Sequence, residues 1–354
     1  MKFKHLLICL LLMMGVSMNA QDIHFSQFYL SPLNLNPAMT GVMNCNIRLV
    51  ANYRNQWASV LKSNAYSTYS ASYDQKIAVG RYDYFGVGAS FWGDVAGEAN
   101  FATTTGRLTG SYAKRMGGGR KEAHYLVVGA EAGLSQRSID FDKLRWGTQH
   151  DGSGGHNPDA LSLEDNLFND QFLFADLGAG LLWFSVFDEN NNLYIGGAYH
   201  HLNRANQTFY EENGLREDLY SRFTIHAGGE FAVASRLGLL PGVIVMKQGP
   251  SFQVNSGTSL RFRLGGSSTG NFGNYQAFQV GAWVRVSNRV DNGYLTDAAI
   301  ISTRFDYNQF SIGFSYDLNV SALQPASNNN GAFEFALLYK FCGNERRGVY
   351  CPNF

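Results

Sequence analysis

The sequence predicts an all-β protein, a transmembrane antiparallel barrel of about 14 strands set in an outer membrane. Three observations carry that expectation. Apolar residues alternate with small or polar ones in stretch after stretch, a period of two that sorts side chains to the two faces of a strand. After the first 20 residues, no apolar run approaches the roughly 18 residues that a spanning helix needs, and lipid admits only helices and closed barrels. Composition agrees: charged residues are only 16% and aromatic residues 14%, with 39 glycines, whereas soluble domains carry about 25% charged residues.

Residues 1–20 read as a secretory signal peptide. Lys2 and Lys4 give the positive start, and Leu6 to Val16 form an apolar run of about eleven residues, the length of a signal core and too short for a retained anchor. Ala20 suits the last position before cleavage, although Met18 is larger than the small residue usual two places earlier. Cys9 follows Ile8 and lacks the small neighbour of a lipid-anchored cysteine.

Residues 21–46 form a segment of another kind. Phe25-Ser26-Gln27-Phe28-Tyr29-Leu30-Ser31-Pro32-Leu33-Asn34-Leu35-Asn36-Pro37-Ala38-Met39-Thr40-Gly41 carries two prolines and a closing glycine. Such a stretch forms neither a long helix nor a central strand. Its rings and leucines are too apolar for a free linker, so it is expected to pack against something larger. It precedes the first strand, which predicts a periplasmic position, as a plug at the lumen mouth or a docking surface. Phe25, Gln27, Phe28, Tyr29, Pro32, Asn36, Pro37 and Gly41 are the candidate residues for either role.

Residues 47–341 are read as the barrel. Phe310, Ile312, Phe314, Tyr316 and Leu318 alternate with Ser311, Gly313, Ser315 and Asp317. Leu173, Ala175, Leu177, Ala179 and Leu181 alternate with Phe174, Asp176, Gly178 and Gly180. Strands of this kind are predicted to begin near residues 47, 65, 82, 101, 123, 172, 192, 220, 236, 251, 275, 295, 308 and 331. Most approach the roughly ten residues of a tilted spanning strand, and an even count suits a barrel with both ends on one side. The three longest connections, near 138–171, 202–219 and 319–330, all follow odd-numbered strands, as external loops do when both ends are periplasmic. The segment from Gly265 to Asn274 is long for a periplasmic turn. A secreted sandwich also alternates, but its polar face meets water. Here that face is Gly and Ser with isolated Asp176, Glu230, Arg285, Arg304, Asp306 and Glu334, which suits a wall around a polar or plugged lumen. No internal repeat divides the chain.

No motif points to catalysis or to a bound cofactor or metal. His200-His201 sits at a predicted strand end, where neighbouring side chains face opposite ways and do not share one metal. A hydrolase at the barrel rim would need a Ser, His and acid brought together, and nothing in the sequence marks one. The Asp151 to Asp159 stretch lacks EF-hand spacing and reads as a flexible loop. Gly117-Gly118-Gly119 lacks the Lys and Ser or Thr of a phosphate loop. Net charge is zero, and no basic patch suggests nucleic acid. Residues 342–354 form a C-terminal tail on the periplasmic side. Cys342 and Cys351 flank its polar part and are the expected disulfide, leaving Cys45 unpaired or reaching the tail itself.

Several stretches, in order, resemble the PorP/SprF family, outer-membrane components of the Bacteroidetes type IX secretion and gliding machinery. They include the opening segment, Asn52-Tyr53-Arg54-Asn55-Gln56-Trp57, Ser72-Tyr73-Asp74 and Asp142-Lys143-Leu144-Arg145-Trp146-Gly147-Thr148-Gln149. Phe174 to Leu181, Tyr199-His200-His201-Leu202-Asn203, Gly313 to Asp317, Gly331 to Glu334 and Cys351-Pro352-Asn353-Phe354 continue the series. The resemblance implies a non-enzymatic barrel that supports secretion or surface attachment of cargo with a type IX C-terminal signal, such as a large adhesin. Its implied partners are the secretion machinery, that cargo and outer-membrane lipid. A passive pore for small solutes is the alternative.

Overall fold

The computed structural model describes residues 22–119, 122–153, 155, 157, 160, 170–209, 216–265, 275–288, 293–322, 324–342 and 351–352. The expected signal peptide lies outside the described residues, as does most of the connection 266–275.

Fourteen strands close into one antiparallel barrel in sequence order. They are β1 (Ile47–Gln56), β2 (Tyr66–Val79), β3 (Asp83–Ala96), β4 (Phe101–Gly117), β5 (Ala123–Ser138), β6 (Gln171–Asp188) and β7 (Asn191–His200), then β8 (Arg222–Ala234), β9 (Leu237–Gln248), β10 (Ser251–Gly265), β11 (Gln276–Asn288), β12 (Tyr294–Tyr307), β13 (Phe310–Asn319) and β14 (Asn330–Phe341). Each predicted start lies within two residues of the observed one. The ring closes where β1 pairs with β14 in unbroken register, from Ile47 opposite Phe341 to Gln56 opposite Ala332. A closed ring has no free edge, so backbone groups along the wall pair with a neighbouring strand on both sides, interrupted only at bulges and at Pro241 of β9.

The alternation sets the two faces. On β13, Phe310, Phe314 and Tyr316 point outward and are exposed, while Ser311, Ser315 and Asp317 are buried inside. Leu173, Leu177 and Leu181 likewise face out on β6, and Phe174 and Asp176 face in. Outward rings and leucines on nearly every strand make the apolar belt of a membrane barrel. All six charged residues assigned to the polar face, Asp176, Glu230, Arg285, Arg304, Asp306 and Glu334, are buried inside.

The two mouths differ. At one, the turns are short: residues 80–82 after β2, 189–190 after β6, 235–236 after β8 and 308–309 after β12. At the other open the long connections 139–170, 201–221 and 320–329. No helix among the described residues is long and apolar enough to span a membrane.

The cysteine pairing differs from the expectation. Cys45 is bonded to Cys342, with Cα atoms 4.3 Å apart, and Cys351 is free and buried. The reason is register. Cys45 lies just before β1 and Cys342 just after β14, so closing the ring brings the two together at the short-turn mouth, where the Asn46 N–H already bonds the Phe341 carbonyl. The bond staples the seam. Cys351 instead meets the side chain of Asn44, which accepts from its N–H at 2.7 Å and donates to its carbonyl at 3.0 Å.

Candidate functional site: the segment that fills the lumen

Residues 22–45, expected on the periplasmic side as a plug at the lumen mouth or a docking surface, reach farther than that. They run through its lumen from the long-loop mouth to the short-turn mouth. The local sequence makes the path compact: Phe28–Leu30 and Pro37–Met39 are single 3₁₀ turns, and Pro32–Leu35 is one helical turn. Pro32 and Pro37 open two of them, where a missing N–H costs nothing. Asn36 caps the last by accepting from the Ala38 N–H at 2.8 Å. Phe25, Phe28, Tyr29, Leu30, Leu33 and Leu35 are all buried. Burying side chains of this size stabilises by roughly 1.5–3 kcal/mol each.

Anchors in order of depth fix the direction. At the long-loop mouth, Asp22 bonds His201 Nε2 at 2.5 Å and Arg222 at 3.2 Å, and its N–H donates to Gln248 at 2.8 Å. Next, Glu334 accepts from the N–H groups of Ser26 at 2.6 Å and Gln27 at 3.0 Å. The Ser26 hydroxyl donates to Asp317 at 2.8 Å and accepts from Arg54 at 2.9 Å and Arg285 at 3.1 Å. Arg54 pairs with both Glu334 and Asp317, so four buried wall charges converge on one serine. At mid-depth the Asn36 amide donates to the carbonyls of Leu181 at 3.0 Å and Gly197 at 3.2 Å and lies 3.0 Å from His226 Nε2. Near the short-turn mouth, Asp74 accepts from the Gly41 N–H at 2.7 Å and grips Arg48 through both oxygens at 2.9 and 3.0 Å. Arg48 then donates to the Met39 carbonyl at 3.0 Å.

The wall makes room with glycine. A Cβ at Gly180 would lie 2.0 Å from Asn36 Oδ1, and one at Gly86 would lie 2.1 Å from the Thr40 carbonyl oxygen. No Cβ tolerates such contacts, so the inward glycines of β3 and β6 record the path of the segment.

The predicted candidates divide by what they touch. Gln27 and Gly41 offer backbone N–H groups to wall carboxylates, Asn36 uses its side chain, and Pro32 and Pro37 shape the turns. Phe28 and Tyr29 pack on Trp283, with ring centres 5.5 and 5.7 Å apart, and Phe25 is buried beside them in sequence. Sequence reasoning missed their wall partners Arg48, Arg54, Asp74 and Asp317. Their parity on the inward face was the available signal, but parity does not say which charge a buried segment meets.

His200 and His201 also depart from the expectation of opposite faces. β7 ends at His200, and His201 turns back with φ +58°, so both rings point inward and are buried. His200 bonds Glu131 at 2.7 Å and His201 bonds Asp176 at 2.8 Å. Burial opposes charge on His201, but Asp22 and Asp176 raise it to about 9. Burial likewise opposes the Asp22 carboxylate, yet His201 and Arg222 hold it well below the usual range. Burial leaves His24 neutral, its basicity well below that of a free imidazole.

A sequence model described as "Type IX secretion system membrane protein PorP/SprF" matches residues 17–339. The chain belongs to the PorP/SprF family. It is thus a membrane component of the type IX secretion system, and its closed barrel with an apolar outer belt places it in the outer membrane. Among solved structures this PorP/SprF chain is similar to the CymD monoaromatic hydrocarbon channel, at 12% identity over 89% of this chain and 94% of that one, with a TM-score of 0.48. It is also similar to the Ralstonia pickettii toluene transporter TbuX, at 12% identity over 88% and 94% of the two chains, with a TM-score of 0.44. No curated protein matches the PorP/SprF chain by sequence.

Proposed function

We propose that this protein is a non-enzymatic outer-membrane scaffold of the type IX machinery, supporting secretion or surface attachment of cargo such as a large adhesin. Family membership over residues 17–339 carries this reading. The lumen segment supports it further. The barrel threads its own chain from mouth to mouth and binds it with buried ion pairs, which fills the lumen a passive pore would keep open. Three cavities beside the segment among the described residues measure about 20 to 40 Å³ each, room for one or a few waters, which favours a filled lumen over a passive pore. Export by a signal peptide cleaved after Ala20 belongs to the same reading, and the mature protein then begins at Gln21, which N-terminal sequencing checks.

Within this reading the segment stabilises the barrel as a plug, and the machinery meets the barrel at its mouths. Two strains test it, one lacking the protein and one carrying it without residues 22–41. Loss of the protein is expected to clear cargo bearing the type IX signal from the cell surface. Loss of the segment is expected to lower barrel assembly. Unchanged surface cargo in the first strain refutes the secretion role, and unchanged assembly in the second refutes the plug.

A further inference from the structure

Along the β7 to β12 side of the segment, three small cavities lie in sequence from the long-loop mouth toward the short-turn mouth. The first, of about 20 Å³, opens near the β9–β10 turn between Asp22, Gln248 and Ser251. A second of about 20 Å³ shares His24, Arg222 and Met246 with it. A third of about 40 Å³ lies toward the short-turn mouth, against Glu230, Ser259 and Arg261. The second and third share one residue, Phe28. Its ring stands edge-on to Trp283 and approaches the wall at Gly242, where a Cβ would sit 3.4 Å from the ring.

Polar side chains line the cavities on both sides of that ring, among apolar ones. His24 Nε2, Arg222 Nε and Thr224 Oγ1 on one side, and Ser259 Oγ and Arg261 Nε on the other, are buried with no protein partner. Buried polar atoms favour partners, and each cavity has room for at least one water. Two of the five are guanidinium donors that favour a negative guest. Beyond the ring, Arg261 and Arg263 both bond Glu230 at 2.5 Å, so two cations meet one carboxylate. Arg304 is matched by Asp306 at 2.7 Å. At the other end Asp22 is matched by Arg222 and His201.

We propose that the barrel carries a latent path for small anions beside its segment, closed at one point by the ring of Phe28. Removing that ring joins two hydrated compartments that an apolar constriction keeps apart. The path does not depend on the secretion role, because its readout is electrical.

The test is conductance of the purified full-length protein in planar bilayers with potassium chloride. Phe28→Ala is expected to raise conductance roughly tenfold or more over the parent, as removal of a dry constriction does, with chloride favoured over potassium in a salt gradient. Adding Arg261→Gln is expected to move the reversal potential toward zero. Met39→Ala, on the opposite side of the lumen, is expected to leave conductance at the parent level. Trp283→Leu opens the same constriction from the wall and serves if Phe28→Ala does not assemble. Folded Phe28→Ala or Trp283→Leu protein conducting no more than the parent overturns the proposal. A potassium preference, or an equal rise in Met39→Ala, overturns it as well.

Discussion

Single buried charges hold the segment, so their removal has large and local effects. Glu334 accepts two backbone N–H groups and pairs with Arg54. Glu334→Ala is therefore expected to cost about 3–5 kcal/mol, the range for breaking a buried pair from one side. Heat-modified migration in detergent gels reports it as a lower transition temperature. His201 gives a pH dependence with a definite sign. Its basicity rises from 6.5 in the free state to about 9 in the fold, so its contribution is complete below about pH 6.5 and lost as pH climbs through about 9. Asp22 is displaced the other way, so its contribution is present above its ordinary value of 3.8 and lost in acid. Amide exchange at Ile23 and His24, corrected for intrinsic rates, should accelerate above about pH 9. His201→Gln should abolish that step, and a step that persists in the variant refutes the latch.

At the scale of elements, the strands were legible because period-two alternation is a local signal and each strand carries its own. The belt, the turns and the inward charges followed from the same parity. The segment was legible only as something that must pack. Its prolines announced short turns, but its route depends on contacts more than 200 residues apart, such as Asp22 with Gln248, which no local pattern encodes. In the sequence the inward glycines read only as small residues of a polar wall, whereas Gly180 and Gly86 are clearances for Asn36 and Thr40. Gly180→Val should accordingly displace the segment and leave the strand intact, since valine suits strands while overpacking costs about 1–3 kcal/mol. Limited proteolysis within residues 22–45, with β-sheet content unchanged by circular dichroism, is the expected pattern. The disulfide was misassigned for a related reason: nearness in sequence favoured Cys342 with Cys351, whereas ring closure favours Cys45. Mass analysis without reductant should find Cys45 joined to Cys342 and one free thiol, which Cys351→Ser removes. A crosslink spanning 297 residues restricts the unfolded chain by roughly 6 kcal/mol in the loop-entropy account. Cys45→Ser should therefore loosen the seam first.

For the whole molecule, the account joins a closed wall, a stapled seam and a chain threaded through its own lumen. Reading the order of elements alone puts the segment on the side where β1 begins. The structure instead carries its first described residue to the far mouth, because the inward charges pair with it all along the wall. Barrel and segment then form one folding unit. That arrangement is tested most directly by a crosslink deep in the lumen. The hydroxyls of Thr40 and Thr109 lie 3.0 Å apart, both buried. The double variant Thr40→Cys and Thr109→Cys, made with Cys351→Ser, is expected to form its bond in native outer membranes in nearly every molecule. Intact-mass analysis without reductant should then find no thiol open to maleimide. Two free thiols, both labelled by maleimide in intact membranes, would place residue 40 outside the lumen and contradict the account.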